Sequence, residues 1–314
     1  MEPRVFGVES PIFVAIRATL SLSTVALLGI LALRWMLLPR YEGPDAPALS
    51  AAIARRLPRV LGGIAATALL ATLAQLVAQH AAVFGTDAAL SRATFVTLLV
   101  RADWGRTWWL AFAAASAVGG LAVRLRRPTA RAWVAIAVAA LALAASQPAS
   151  GHPAATLHPW RAIIVQTVHL LAGGAWIGTL GALTFVAVPA AVRLPLAPPE
   201  HADARVAGLV RAFSPIALGG TAIVAASGLF RAWEGLGSVA ALWSSEYGRV
   251  LLLKLALLAI TLGTGAYNWR RVLPALGEPR ASAALHRSAR VELAAAVLVL
   301  VATAVLVATP MPGE

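Results

Sequence analysis

Trp160-Arg161-Ala162-Ile163-Ile164-Val165-Gln166-Thr167-Val168-His169-Leu170-Leu171-Ala172-Gly173-Gly174-Ala175-Trp176-Ile177-Gly178 opens a run that stays apolar as far as Val192. About twenty such residues cross a hydrocarbon core as a helix, so the run reads as a membrane span. His169 sits well inside it, and an ionisable side chain at that depth is costly enough to mark a functional site. Gly174 and Gly178, four residues apart, clear side-chain bulk from one face and let another helix come close. The expectation is a buried central helix.

Working outward, seven further apolar segments lie at 12–38, 58–83, 107–124, 131–147, 208–232, 248–269 and 289–309. With 60% hydrophobic and 12% charged residues, the chain is too apolar for a water-soluble domain. Lipid offers the backbone no hydrogen-bond partners, and these runs are continuous instead of alternating with period two, which predicts helices and not barrel strands. The fold class is therefore all-α: a polytopic bundle of about eight transmembrane helices forming one domain over residues 1–314. The first run is too long for a signal h-region and lacks a strongly basic lead, so it reads as span one. Pro39 to Leu57 reads as an ordered turn or interfacial stretch.

Arginines near span ends set the orientation. Arg40, Arg55, Arg56 and Arg59 follow span one; Arg124, Arg126, Arg127 and Arg131 follow span three; Arg193, Arg205 and Arg211 follow span five; Arg270, Arg271, Arg280, Arg287 and Arg290 follow span seven. These loops are expected in the cytoplasm and both termini outside. The net charge of +13 is thereby explained by span orientation, and no nucleic-acid partner is implied; the partner is membrane lipid. Trp104, Trp108, Trp109, Trp160, Trp233, Trp243 and Tyr247 read as interfacial anchors. No cysteine is present, and three methionines are too few for a thioether ladder for Cu(I).

His80, His152, His158 and His169 fall toward the outer face, whereas His201 and His286 fall in cytoplasmic loops. Neutral imidazole is a common ligand of copper, zinc, nickel and iron, so the outer four form a candidate metal constellation. His158 lies about 16 Å along a helix axis from His169, too far for one compact site. His152, in Gly151-His152-Pro153, can fold back toward the helix. The plain alternative for His169 is a core histidine satisfied by Gln166, Thr167 or a neighbouring span. Lys254, after Tyr247-Gly248-Arg249, either snorkels to the outer interface or meets a carboxylate. Glu292 is expected to pair with Arg270 or Arg271. Gln75 and Gln79 form a polar face leading to His80.

The order and spacing of several of these stretches resemble the copper resistance protein D family. The resemblance rests on Gly151-His152, Thr167 to Gly178, Arg211-Ala212-Phe213-Ser214-Pro215, Ala226-Ser227-Gly228-Leu229, Tyr247 to Lys254, and Asn268-Trp269-Arg270 through Pro274. It covers residues 150–308 well, and the first four spans mainly in their number. It implies an eight-span inner-membrane protein that moves copper inward from the outer, periplasmic side. The matched polar positions are His152, His169, Trp176, Ser214, Tyr247, Lys254 and Asn268. Ser227 stands where the family commonly has threonine. A copper-binding β-sandwich of the copper resistance protein C type is an implied partner as a separate chain. On the residues alone, a b-type haem held by His80 and His169 and a non-transporting copper-delivery factor remain open. No Ser-His-Asp set, phosphate loop or paired carboxylates lie in the spans, so a transporter is expected in place of an enzyme.

Overall fold

The computed structural model describes residues 10–43, 45–124, 129–150, 159–194, 201–272, 274 and 281–309, with the side chains of 272 and 281–287 excepted. Among them there is no strand. The helices are α1 (Pro11–Arg40), α2 (Ala46–Ala54), α3 (Leu57–Phe84), α4 (Arg92–Val96), α5 (Asp103–Arg124), α6 (Ala130–Ala149), α7 (Pro159–Val192), α8 (Ala202–Leu236), α9 (Ala241–Ser244), α10 (Glu246–Arg271) and α11 (Ala281–Ala308). Seven helical stretches among the described residues are long and apolar enough to cross a membrane. The 22-residue α5 falls outside that set; its sequence includes Asp103, Arg106 and Arg124, and it packs between α3 and α6. The protein is a polytopic helical bundle, and α2 supplies the ordered stretch expected after span one.

The long helices alternate in direction. One end of the bundle, here the upper end, gathers the starts of α1, α5, α7 and α10 and the ends of α3, α6, α8 and α11. The hub is α1, which packs against α3, α6, α7 and α11. Its tightest crossing is with α7. A Cβ placed on Gly178 would lie 2.0 Å from the Val25 carbonyl oxygen, and one on Gly29 would lie 2.0 Å from the Gly178 carbonyl carbon. A Cβ on Gly174 would lie 2.5 Å from Leu28 Cβ. The glycine pair thus brings backbone onto backbone, as its spacing predicts. Across this contact α7 widens into a π turn at Gly174–Gly178, and a second follows at Leu183–Ala187. Such single-turn bulges inside α-helices often mark functional segments.

Several polar groups tie the frame together. Arg205 is buried, donating from Nε to the Ala191 carbonyl at 2.9 Å and pairing through Nη1 with Asp45 at 3.2 Å. It is therefore a strut between α8, the end of α7 and the start of α2, not a solvated loop charge. Trp108 likewise departs from its expected interfacial role. It is 5% exposed and donates to the Thr72 carbonyl at 2.8 Å, locking α5 to α3. Trp109, Trp160, Trp233 and Trp243 are exposed, as anchors require.

Gly178→Val should be severely damaging, because the three atoms nearest an added Cβ are all backbone, the Val25 carbonyl oxygen and Gly29 N and Cα, and cannot turn away. The expected loss is about 3 kcal/mol or more, read as a lower Tm in detergent. Gly219→Ala, where an added Cβ meets nothing within 4 Å, should leave Tm unchanged or slightly higher.

Candidate functional site

Two cavities bordered by the described residues share one wall. The upper one, of about 520 Å³, is lined by residues of α1, α3, α5, α6, α7, α8, α10 and α11, including Arg17, Gln75, Gln147, Gln166, His169 and Lys254. The lower one, of about 350 Å³, includes Ser214, Thr261, Asn268, Arg270 and Glu292. Trp176 borders both and is 3% exposed. Its place follows from the backbone. The π turn carries it against α8, where a Cβ on Gly220 would lie 2.8 Å from Trp176 Cβ. The indole is a common wall between the two spaces.

His169 lines the upper cavity, and its partner comes from the neighbouring helix α8. His169 Nδ1 lies 2.9 Å from Ser227 Oγ. Ser227 has one hydroxyl proton, and that proton goes to a backbone carbonyl, Ile223 at 2.5 Å with Val224 at 3.3 Å. The serine oxygen is thus left to accept, so His169 carries its proton on Nδ1. In that tautomer Nε2 keeps its lone pair. A neutral imidazole with one nitrogen fixed by a hydrogen bond and the other free is the state a metal ligand needs. Gly228 makes room for the ring, since a Cβ there would sit 3.4 Å from His169 Cε1.

The walls around His169 are fixed from several sides. Gln147 is held to α1 by donating to Thr24 Oγ1 at 2.7 Å and accepting from Ser21 Oγ at 2.7 Å. At the rim Glu234 takes Arg161 at 2.6 Å and Arg231 at 3.1 Å, joining α7 to α8. Gln166, Trp176, Tyr247 and Lys254 all line the same cavity as His169. Lys254 has no carboxylate partner among the described residues. Sequence reasoning located these residues but not Ser227 as the partner of His169. The signal available for it was Ala226-Ser227-Gly228, a small polar residue inside span six.

His80 is placed elsewhere. It is 2% exposed, stacks obliquely on Phe84 and Phe95 at 5.1 and 5.9 Å between centroids, and approaches Thr94 Oγ1 with Nε2 at 3.0 Å. Thr94 spends its own proton on the Ser91 carbonyl at 2.9 Å, so His80 Nε2 donates to it. His80 clamps α4 against α3, and it does not line the cavity that holds His169. Its neighbour along α3, Gln75, does line it. His152 and His158 lie outside the described residues. Among the described residues no group of three or more His, Cys, Asp or Glu is close enough to hold a metal ion.

In the lower cavity Glu292 is buried and accepts from Asn268 Nδ2 at 3.3 Å, while Ser288 donates to Asn268 Oδ1. The pairing with Arg270 or Arg271 expected from sequence is replaced by an amide, because Asn268 is buried against Glu292 while both arginines are exposed. The second carboxylate oxygen faces Gly265, where a Cβ would lie 3.3 Å away.

Comparison with known proteins bears on these two cavities together. The family profile described as Copper resistance protein D-like, N-terminal domain matches residues 8–162, and that described as Copper resistance protein D matches residues 207–306. His169 and the π turns of α7 lie in the stretch between the two matches. A curated relative, the Copper transport protein CutJ of Bacillus subtilis (strain 168), is 27% identical over 183 residues, which is 58% of this chain and 31% of the relative. The chain thus matches less than a third of that relative's length. No solved structure matches. The two profiles account for α1 through the start of α7 and for most of α8 through α11, the helices that enclose both cavities, and the chain belongs to the copper resistance protein D family.

Proposed function

We propose that this protein carries copper inward across the inner membrane, taking it at His169 in the upper cavity and releasing it through the lower one. The observation that supports this most directly is the contact of His169 Nδ1 with Ser227 Oγ, which leaves Nε2 its lone pair in a residue lining a 520 Å³ cavity. The upper end is the outer side by the arginine distribution, which also puts both termini outside and makes α5 the eighth span. His152, from the segment preceding α7, is the proposed second imidazole, with His158 standing behind it; His80, held against Thr94, takes no part. Gln166, Tyr247 and Lys254 shape the cavity. A periplasmic copper-binding chain of the copper resistance protein C type would deliver to this mouth.

Trp176 closes the way between the cavities. Opening it requires the π turn at Gly174–Gly178 to shift toward a regular α turn, which rotates the indole relative to α8. Beyond it Glu292 supplies the one buried carboxylate of the lower cavity, with Asn268 orienting it. Oxygen ligands hold copper more weakly than imidazole, which suits a site that must let go.

His169→Ala should abolish copper uptake, measured as accumulated metal in cells and in proteoliposomes; unchanged uptake removes His169 from the path. Ser227→Ala should weaken copper binding by about tenfold by freeing the ring and its tautomer, and Ser227→Thr should retain it.

Glu292→Gln keeps the shape and the bond to Asn268 but removes the anionic oxygen. Copper binding by purified protein should persist while transfer into the vesicle lumen falls, and Glu292→Asp should recover part of the transfer. Full flux through Glu292→Gln would assign the exit elsewhere.

A further inference from the structure

The charges around His169 are the opposite of what a bare cation would seek. Arg17, Arg231 and Lys254 line the upper cavity, and no aspartate or glutamate does so among the described residues. Arg231 is offset by Glu234 at 3.1 Å on the rim. Lys254 and Arg17 have no acidic partner among the described residues, and the guanidinium of Arg17 rests over the Phe13 ring at 5.5 Å. The cavity walls are mostly apolar, with Trp108, Trp176 and Leu251 among them, so these charges act through a medium that screens them weakly. The space, about 520 Å³, matches a small-molecule site and far exceeds one metal ion.

We propose that the upper cavity receives its metal as an anionic complex, the metal against His169 Nε2 and the complex's anionic ligands against Lys254 and Arg17. The substrate class is then copper bearing small anionic ligands such as halide or carboxylate. One protein nitrogen suffices for capture, because the remaining ligands arrive with the metal. Transfer breaks the bonds to His169 Nε2 and to those anions, which return through the upper end to the outer side, and forms the bond to the carboxylate of Glu292. This inference rests on the reading that copper binds at His169.

The test compares two forms of Cu(I) at equal ionic strength, the dichlorocuprate anion and the cationic acetonitrile complex, by equilibrium dialysis against the full purified chain. The wild type should prefer the anion. Lys254→Gln and Arg17→Gln should each weaken dichlorocuprate binding by about tenfold or more, the scale set by removing one weakly screened unit charge, and should hold or strengthen binding of the cationic form. Lys254→Arg, which keeps the charge, should restore the preference and separates charge from folding. A bare-cation site gives the opposite sign: neutralising Lys254 or Arg17 tightens both forms, and the inference falls. If both forms bind through His169 without preference, the inference also falls while the copper reading stands. If neither form responds to His169→Ala, the copper reading itself falls.

Discussion

The close crossing of α1 and α7 at Gly29 and Gly178 is the constraint on which the rest depends. Helices in lipid gain little from burying apolar surface against one another, since the surrounding tails are equally apolar. What holds a pair is contact made possible by small residues, and here two glycines allow backbone to touch backbone. With α1 pinned in this way, α3, α6 and α11 pack around it and the two cavities are left where the helices diverge. The π turn lies in the same five residues as Gly174 and Gly178. Close approach and widened turn therefore share one cause, a segment where side chains have been removed and the backbone can adjust.

That adjustment places Trp176. A regular turn through Gly174–Gly178 would rotate the indole away from Gly220, and the wall between the cavities would no longer be one side chain. The frame around it is rigid: Arg205 ties α8 to α2 and to the end of α7, and Trp108 locks α5 to α3.

Much of this was legible in the sequence because it is local. Helix-length apolar runs and the spacing of Gly174 and Gly178 are properties of short windows, and both have their counterpart in the fold. What could not be read were pairs whose members lie far apart along the chain. Ser227 meets His169, Asn268 meets Glu292, Asp45 meets Arg205 and Thr72 meets Trp108 only after helices pack. Period and composition carry no information about which polar face meets which. His80 illustrates the same limit from the other side. Its position along its span resembled that of His169, yet a threonine and two phenylalanines within fifteen residues of it occupy it.

The two cavities divide the labour by ligand chemistry. Above Trp176 the lining offers an imidazole nitrogen, neutral amides and hydroxyls, with Arg17, Arg231 and Lys254 among them; below it a carboxylate joins amide and hydroxyl oxygens, with Arg270 exposed. A soft or borderline metal prefers nitrogen, so the gradient of ligand strength runs downhill in the wrong sense for a metal moving from His169 to Glu292. The cations resolve this. Lys254 and Arg17 raise the energy of any cation that has lost its anionic ligands in the upper cavity, whereas Glu292 lowers it in the other. In the proposed passage, electrostatics then opposes ligand preference across one indole, which lessens trapping of the metal on either side.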